Sequence, residues 1–507
     1  MHVRLSINKL PDNLFALPRL KVPMSWLAES GKIAAMKILM VSAEVAPFAK
    51  RGGLGDVAGS LPKALRALGH DVRVIMPAYE MIERGYPNVQ ATDIKTHVPI
   101  RGEQLPIGLF EGNLPDSDVP VYFVAQQHLF NRPRVYGYDD DVYRFAFFSR
   151  AIIPVLGALN WVPDIVHAHD WHAAGVIFWL KTAGQRDDWF RNVKTAYTIH
   201  NLAHQGRANW DVVDYLGIAT HALHEEPYGS VNLMARGIYH SDAVTTVSPT
   251  YAHEITTEAG GDGLDGLLRH RGSDLHGILN GLDTVVWDPA ADKRLPHHFD
   301  MQRLDERIKL RHALQDKVGL PRRDDVPLVA MISRLDWQKG LPLLGEVIHR
   351  LMNGQAGEAQ LVVLGSGQPE YEAMLQRLAG HHRLKMAAIT EYNAGLAPLI
   401  YGGSDMFLMP SLFEPCGLSQ LISMRYGCVP IARATGGLVD TIEDGQTGFL
   451  FNDYSVEAFW EALARTIYVY NVDKPRWREI QLAGMRQDFS WARSAEIYIE
   501  LYQNLLP

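Results

Sequence analysis

From Met36 onward, short apolar runs alternate with longer amphipathic segments. Residues 37–42, 71–76, 121–125, 165–168, 195–199 and 243–247 are rich in Val, Ile and aromatic side chains. Several carry few polar positions, as strands covered on both faces of a parallel sheet require. Between them, residues 57–68, 142–159 and 173–181 read as helices. A second series follows, with strand-like runs at 326–333, 360–364, 383–389, 406–409 and 429–432. Its helices are expected at 342–352, 371–378 and 418–426. Strand and helix alternating in two blocks predict an α/β protein with two Rossmann-like, doubly wound parallel-sheet domains. Gly277, Gly281 and Pro289 punctuate the expected join, which places the domains at 36–276 and 277–488. The stretch 489–507 reads as a C-terminal helix without a strand of its own, free to cross back to the first domain. Residues 1–35 contain Pro11, Pro18 and Pro23 and no clear period, and are expected to form a poorly ordered extension.

Composition narrows the class. A chain of 507 residues is too long for one core, which agrees with two domains. Apolar residues at 47% and charged residues at 21% fit a soluble globular protein. A net charge of −8 argues against a broad nucleic-acid surface, which needs basic patches. The two cysteines, Cys416 and Cys428, make neither a disulfide framework nor a Cys-rich zinc site, so a reducing, cytoplasmic setting is expected. The most apolar long stretch, 145–162, is interrupted by Arg150 and Asn160, so no membrane partner is expected. The first 35 residues lack a secretory pattern; a short organelle-targeting peptide is the alternative reading.

Ligands of open α/β sheets bind at the carboxyl ends of strands. The residues just after the strands therefore carry the candidate chemistry. After the first strand stands Lys50-Arg51-Gly52-Gly53-Leu54-Gly55-Asp56. A lysine, a glycine pair and a helix start suit an anion, although the pair also reads as a plain turn. His167-Ala168-His169-Asp170-Trp171-His172 follows the fourth strand. It places two histidines on one side of a strand, but no complete zinc ligand set accompanies them. The plainer reading is a set of hydrogen-bonded histidines holding a loop. His200 stands after the fifth strand, with no Gly-x-Ser-x-Gly elbow to supply a nucleophile. In the second half, Arg334 and Lys339 flank a helix start, a design suited to a diphosphate. Gly365-Ser366-Gly367 matches a nicotinamide fingerprint only in part, because Glu370 takes the third glycine position. Glu414 sits in the turn Pro410–Gln420, and Gly436-Gly437 opens another helix.

Taken in order, seven stretches resemble the glycogen synthase and starch synthase family. They are 50–56, 167–171, 198–206, 277–283, 333–340, 414–418 and 435–440. The resemblance covers about 36–506 and implies a GT-B fold, two Rossmann-like domains facing across a deep cleft. It implies a retaining glucosyltransferase that moves glucose from ADP-glucose to the non-reducing 4-OH of an α-1,4-glucan. ADP-glucose and glucan would be the partners, with no metal and no other cofactor.

The resemblance also implies roles. Lys50, Gly52 and Gly53 would contact the donor's diphosphate and glucose, and Asp56 and His200 would sit at the sugar. Arg334 and Lys339 would clamp the pyrophosphate. Tyr392 would stack on the adenine, and Glu414 would hold the glucose near the leaving group. Asn280, Cys416 and Gly417 fall at further site positions, and Gly436 and Gly437 would give a phosphate-facing turn. His200, Glu414, Arg334, Lys339 and Lys50 form the expected catalytic set. Arg51 and Gly55 depart from the family, which has a small or β-branched residue and Ala or Ser there. Ile422 stands where another family of retaining transferases has a second Glu. A UDP-glucose enzyme, a transferase with another acceptor, and a glucan-binding protein without activity remain open beside this reading.

Overall fold

The computed structural model describes residues 34–218, 230–391 and 393–507. The strands, in chain order, are β1 (Lys37–Val41), β2 (Asp71–Pro77), β3 (Gln90–Ile100), β4 (Glu103–Asn113), β5 (Pro120–Ala125), β6 (Ile165–His169), β7 (Lys194–Ile199), β8 (Arg207–Asn209), β9 (Ser230–Asn232), β10 (Ala243–Thr246), β11 (Leu275–Gly277), β12 (Leu328–Ile332), β13 (Gln360–Leu364), β14 (Met386–Ile389), β15 (Met406–Met409), β16 (Val429–Arg433) and β17 (Phe449–Phe451). Nine of them form one sheet in the order β11-β10-β7-β6-β1-β2-β5-β4-β3. Six form a second sheet in the order β14-β13-β12-β15-β16-β17, parallel throughout. β8 and β9 make a separate antiparallel pair.

Each sheet is covered on both faces, as its apolar strands require. Side chains alternate across a strand. Accordingly Ile38 and Met40 enter one core layer, while Leu39 and Val41 enter the opposite one. In the second sheet Val329 and Met331 face one layer, and Leu328 and Ala330 the other. One-residue alternation within fully buried strands is what makes the pattern look continuously apolar.

Three features depart from the expected pattern. The first sheet carries an antiparallel hairpin, β3–β4, at its edge. Its strands are half exposed and contain Pro99, Pro106, Gly108 and Gly112, so they lack a buried strand's signature. The helices Val456–Val472 and Lys474–Met485 cover one face of the second sheet. The first helix, expected from 57, runs Gly53–Ala67 and so begins within the glycine pair.

The C-terminal helix Trp491–Leu505 packs on the first half, where Trp491, Tyr498 and Tyr502 join the layer that holds Ile38 and Met40. The chain leaves the first half near Ile278, and Leu282 already belongs to the second half's core. At this crossing Leu282 N–H donates to the Phe489 carbonyl at 2.6 Å, beside the returning chain. Ser494 Oγ donates to the Leu279 carbonyl at 2.7 Å. Among the described residues, no helix is long and apolar enough to cross a membrane. Of the N-terminal extension, residues 1–33 lie outside the described residues.

Candidate active site

Every chemistry-bearing stretch sits just beyond the carboxyl end of a parallel strand. β1 leads to Lys50, β7 to His200, β12 to Arg334, β15 to Glu414 and β16 to Gly436.

On the first half, Lys50 Nζ pairs with Asp56 Oδ1 at 2.6 Å, one turn into the helix. Burial holds the Asp56 carboxyl above its ordinary range against the pull of Lys50. Two N–H groups of the glycine loop are already taken in the protein. Buried Glu44 accepts from the N–H groups of Arg51 and Gly52 through Oε2, the latter at 3.0 Å. Its Oε1 accepts from the Tyr136 hydroxyl at 2.9 Å. Glu44 thus shapes the loop from behind, a role the sequence reading missed. The available signal was a lone carboxylate within the apolar run Ala43 to Pro47.

His200 is buried, and its ring Nε2 lies 3.0 Å from His169 Nδ1. Burial lowers the His200 imidazole to about 3 and holds His169 well below the usual range, so both rings are neutral near pH 7. The His200 backbone N–H donates to Asp170 Oδ1 at 2.7 Å. Asp170 has φ +55°, and burial pushes its carboxyl up to about 7 despite backbone donors from His200 and Asn201. His167 does not hold a loop at a polar rim: it is fully buried in β6 and bonds Tyr502 of the C-terminal helix and Thr198 of β7 through its two nitrogens. Among the described residues, no group of three or more His, Cys, Asp or Glu side chains is placed to hold a metal ion.

On the second half, Lys339 Nζ pairs with Glu414 Oε2 at 2.6 Å, and Ser411 Oγ donates to the same oxygen at 2.9 Å. Two loops are sewn together to make this pair. Leu412 N–H donates to the Gln338 carbonyl at 2.8 Å, and Gln338 Nε2 to the Phe413 carbonyl at 3.2 Å. Gly340 permits their approach. Its φ is +80°, and a Cβ there would lie 2.1 Å from the Pro410 carbonyl oxygen. Arg334 pairs with Asp336 at 3.0 Å, and its side chain is 59% exposed, so its fork is accessible. A cavity of about 180 Å³ is lined by Arg334, Lys339, Ser411, Glu414, Leu418 and Ser419.

The two halves meet at this site. A Cβ on Gly53 would lie 4.0 Å from Leu418 Cδ1. The positive charge of Arg334 helps to depress the His204 imidazole, after the larger effect of burial. Asn280 lies close enough to Cys416 to favour its thiolate slightly, but burial dominates and pushes that thiol up to about 12, which keeps it protonated at neutral pH. Gly417, at φ +73°, turns the chain after Cys416.

Gly436 and Gly437 require a correction. Their N–H groups are not free for a phosphate. Gly436 N–H donates to Glu254 Oε1 at 2.9 Å, across from the first half. Gly437 N–H is shared by the carbonyls of Glu414 and Pro415 at 3.1 and 3.2 Å. These glycines serve close approach instead, since a Cβ on Gly436 would lie 2.0 Å from the Glu414 carbonyl oxygen. Tyr392, expected at the adenine, lies outside the described residues.

The family model described as "Starch synthase catalytic domain" matches residues 37–270, and that described as "Glycosyl transferases group 1" matches 314–469. A glycogen synthase of Anaeromyxobacter sp. (strain Fw109-5) is 45% identical over 487 residues, spanning 93% of this chain and 99% of the relative. The chain belongs to the glycogen synthase and starch synthase family. A glycogen synthase of Desulforudis audaxviator (strain MP104C) is 42% identical, over 93% of this chain and 97% of its own. The catalytic domain of starch synthase IV from Arabidopsis thaliana, solved bound to ADP and acarbose, superposes with a TM-score of 0.86 at 35% identity. That alignment covers 93% of this chain and 99% of the starch synthase chain. A sucrose-phosphate synthase from Thermosynechococcus elongatus, 19% identical with a TM-score of 0.58, shares the fold. Membership of the glycogen and starch synthase family makes the chain a glycosyltransferase of the GT-B fold, and its two sheets, one mixed and one parallel, are the sheets of that fold's two domains.

Proposed function

We propose that this glycosyltransferase moves glucose from ADP-glucose to the non-reducing 4-OH of an α-1,4-glucan, with retention of the α configuration. Arg334, Lys339 and Glu414 lining one cavity, with the Lys50 loop of the other half meeting it at Gly53 and Leu418, carry the reading. Both substrate classes, the nucleotide and the glucan mimic, are present in the starch synthase IV complex with ADP and acarbose.

In this mechanism Arg334 and Lys339 stabilise the charge that develops on the leaving diphosphate. Two side-chain cations fixed beside the leaving group make a metal dispensable for that role. A retaining hydrolase would present two carboxylates across the bond. Here each carboxylate of the site, Glu414 and Asp56, is held in a pair by a lysine and not left free as a nucleophile, so the proposed route is attack on the same face the diphosphate leaves, with the diphosphate receiving the acceptor's proton. Lys50 contributes from the opposite side of the cleft, by exchanging its partner Asp56 for the donor. His200, neutral throughout the working range, serves the sugar by hydrogen bonding and not as a cation.

Labelled glucose supplied as ADP-glucose and, in parallel, as UDP-glucose tests the proposal. Incorporation into glycogen from ADP-glucose is expected to exceed that from UDP-glucose. Preferred incorporation from UDP-glucose would replace the donor assignment. Glycogen binding without incorporation from either would point to a binding protein.

A further inference from the structure

The pair formed by His169 and His200 fixes more than a position. His200 Nε2 and His169 Nδ1 stand 3.0 Å apart, within the buried end of β6 and the residue that follows β7. Each ring is neutral, so each carries one proton and one lone pair. One of the two facing nitrogens must donate and the other accept. His169 Nε2, the far nitrogen of the same ring, is buried and has no partner among the described residues.

Two arrangements satisfy the pair. If His200 donated from Nε2, the His169 proton would sit on Nε2 as an orphaned buried N–H. If His169 donates from Nδ1, only a bare lone pair is left unmatched. Buried N–H groups without acceptors are the rarer and costlier defect. We propose that His169 donates from Nδ1 to His200 Nε2 and so fixes His200 as the tautomer with its proton on Nδ1. Among the described residues, nothing else bonds the His200 ring. Its Nδ1–H is therefore presented to a ligand as a donor, suited to a hydroxyl oxygen of the transferred sugar. His169 is a positioning residue in this account.

The scaffold behind His169 is built to hold that ring still. His167, two residues earlier on the same side of β6, lies 4.3 Å from it between ring centroids. His167 Nδ1 is 2.7 Å from the Tyr502 hydroxyl, and its Nε2 is 2.5 Å from Thr198 Oγ1. Thr198 in turn bonds Thr245 on β10. Tyr502 belongs to the C-terminal helix, so that helix bears on the site through two neighbouring histidines whose rings are tilted by 33°. Both His167 and His169 are fully buried, which removes water as a competing partner.

The use of the Nδ1–H by a sugar rests on the function proposed above; the tautomer does not. Nitrogen NMR of the full-length protein labelled with 15N-histidine reads the tautomer directly, with His200 identified by comparison with His200→Gln. In the unsubstituted protein His200 is expected to show a protonated Nδ1 and a bare Nε2. His169→Asn, whose amide N–H stands near the position of Nδ1, should keep that pattern. His169→Leu should release it, with kcat falling about tenfold or more, the scale of one lost hydrogen bond, and little change in KM for ADP-glucose. A proton on His200 Nε2 in the unsubstituted protein would overturn the proposal, and so would an unchanged tautomer in the Leu variant. If the Leu variant does not fold, the unsubstituted spectrum alone decides. A protein with the expected tautomer that transfers no glucose would refute the functional reading and leave the tautomer assignment standing.

Discussion

The site depends on a few charges held at low exposure. Lys339 and Glu414 are 18% and 9% exposed in their side chains, so each needs the other in the unliganded protein. When donor binds, Lys339 can turn part of its charge toward the diphosphate without a new desolvation cost. Lys339→Ala should lower turnover by about 10²-fold or more, the scale of one lost electrostatic donor. Turnover near normal at saturating ADP-glucose would contradict this role. The histidines make a second prediction at this scale. His167 and His200 are lowered to about 3 and His240 to about 4, and His169 and His172 are also well below the usual range, all by burial. Unfolded histidines bind protons below about pH 6.5 while these folded ones do not. Stability therefore falls as pH drops from about 6.5 toward 3, by up to about 1.4 kcal/mol per pH unit for each group. Asp170, raised to about 7, and Asp56, Glu83 and Asp440, also raised by burial, act in the opposite sense, but the lowered histidines outnumber them. Urea midpoints are expected to be lower at pH 5 than at pH 7; equal midpoints would contradict the buried, neutral assignment.

At the scale of elements, turns place the chemistry. Gly436 adopts φ +47° and ψ −136°, a conformation nearly confined to glycine. Gly436→Ala should destabilise by at least about 1–3 kcal/mol from backbone strain alone, and should displace Glu414 and depress turnover. A fully active, equally stable variant would show that the approach is not required.

The central strands were legible because burial on both faces leaves an apolar run that few other elements have. The β3–β4 hairpin was not, because one exposed side mixes polar residues into each strand. Lys50, His200, Arg334, Lys339 and Glu414 could be singled out as candidates because charged and imidazole side chains just after strands suit a ligand of an open α/β sheet, and the structure places each of them there. Glu44 and Glu254 could not. Each acts on the backbone N–H groups of a distant loop, a relation that only the fold creates. The same fact changes how the glycine motifs work. They bring loops together and are capped by the protein's own carboxylates.

In the whole molecule, the two halves are tied on one side of the site. Ser248 Oγ donates to the Pro415 carbonyl at 2.6 Å, and Asp440 accepts from Thr250 N–H and Oγ1 at 2.9 and 2.8 Å. Glu254 holds Thr435 Oγ1 and Gly436 N–H through one oxygen. The returning helix Trp491–Leu505 adds a second tie at Leu279 and Leu282. The ligands proposed for Lys50 and for Arg334 are one small molecule, so binding it should draw the halves together and exclude water. Solution scattering should show a smaller radius of gyration when ADP is saturating. An unchanged profile would count against closure.

In the proposed reaction, charges from both halves meet on one sugar nucleotide and its glucose is transferred with retention. Proton NMR of the protein with ADP-glucose and a maltooligosaccharide tests it most directly. The account predicts new α-1,4 anomeric signals that grow in step with released ADP. Appearance of a β-linked product, or ADP release with free glucose and no chain extension, would contradict it.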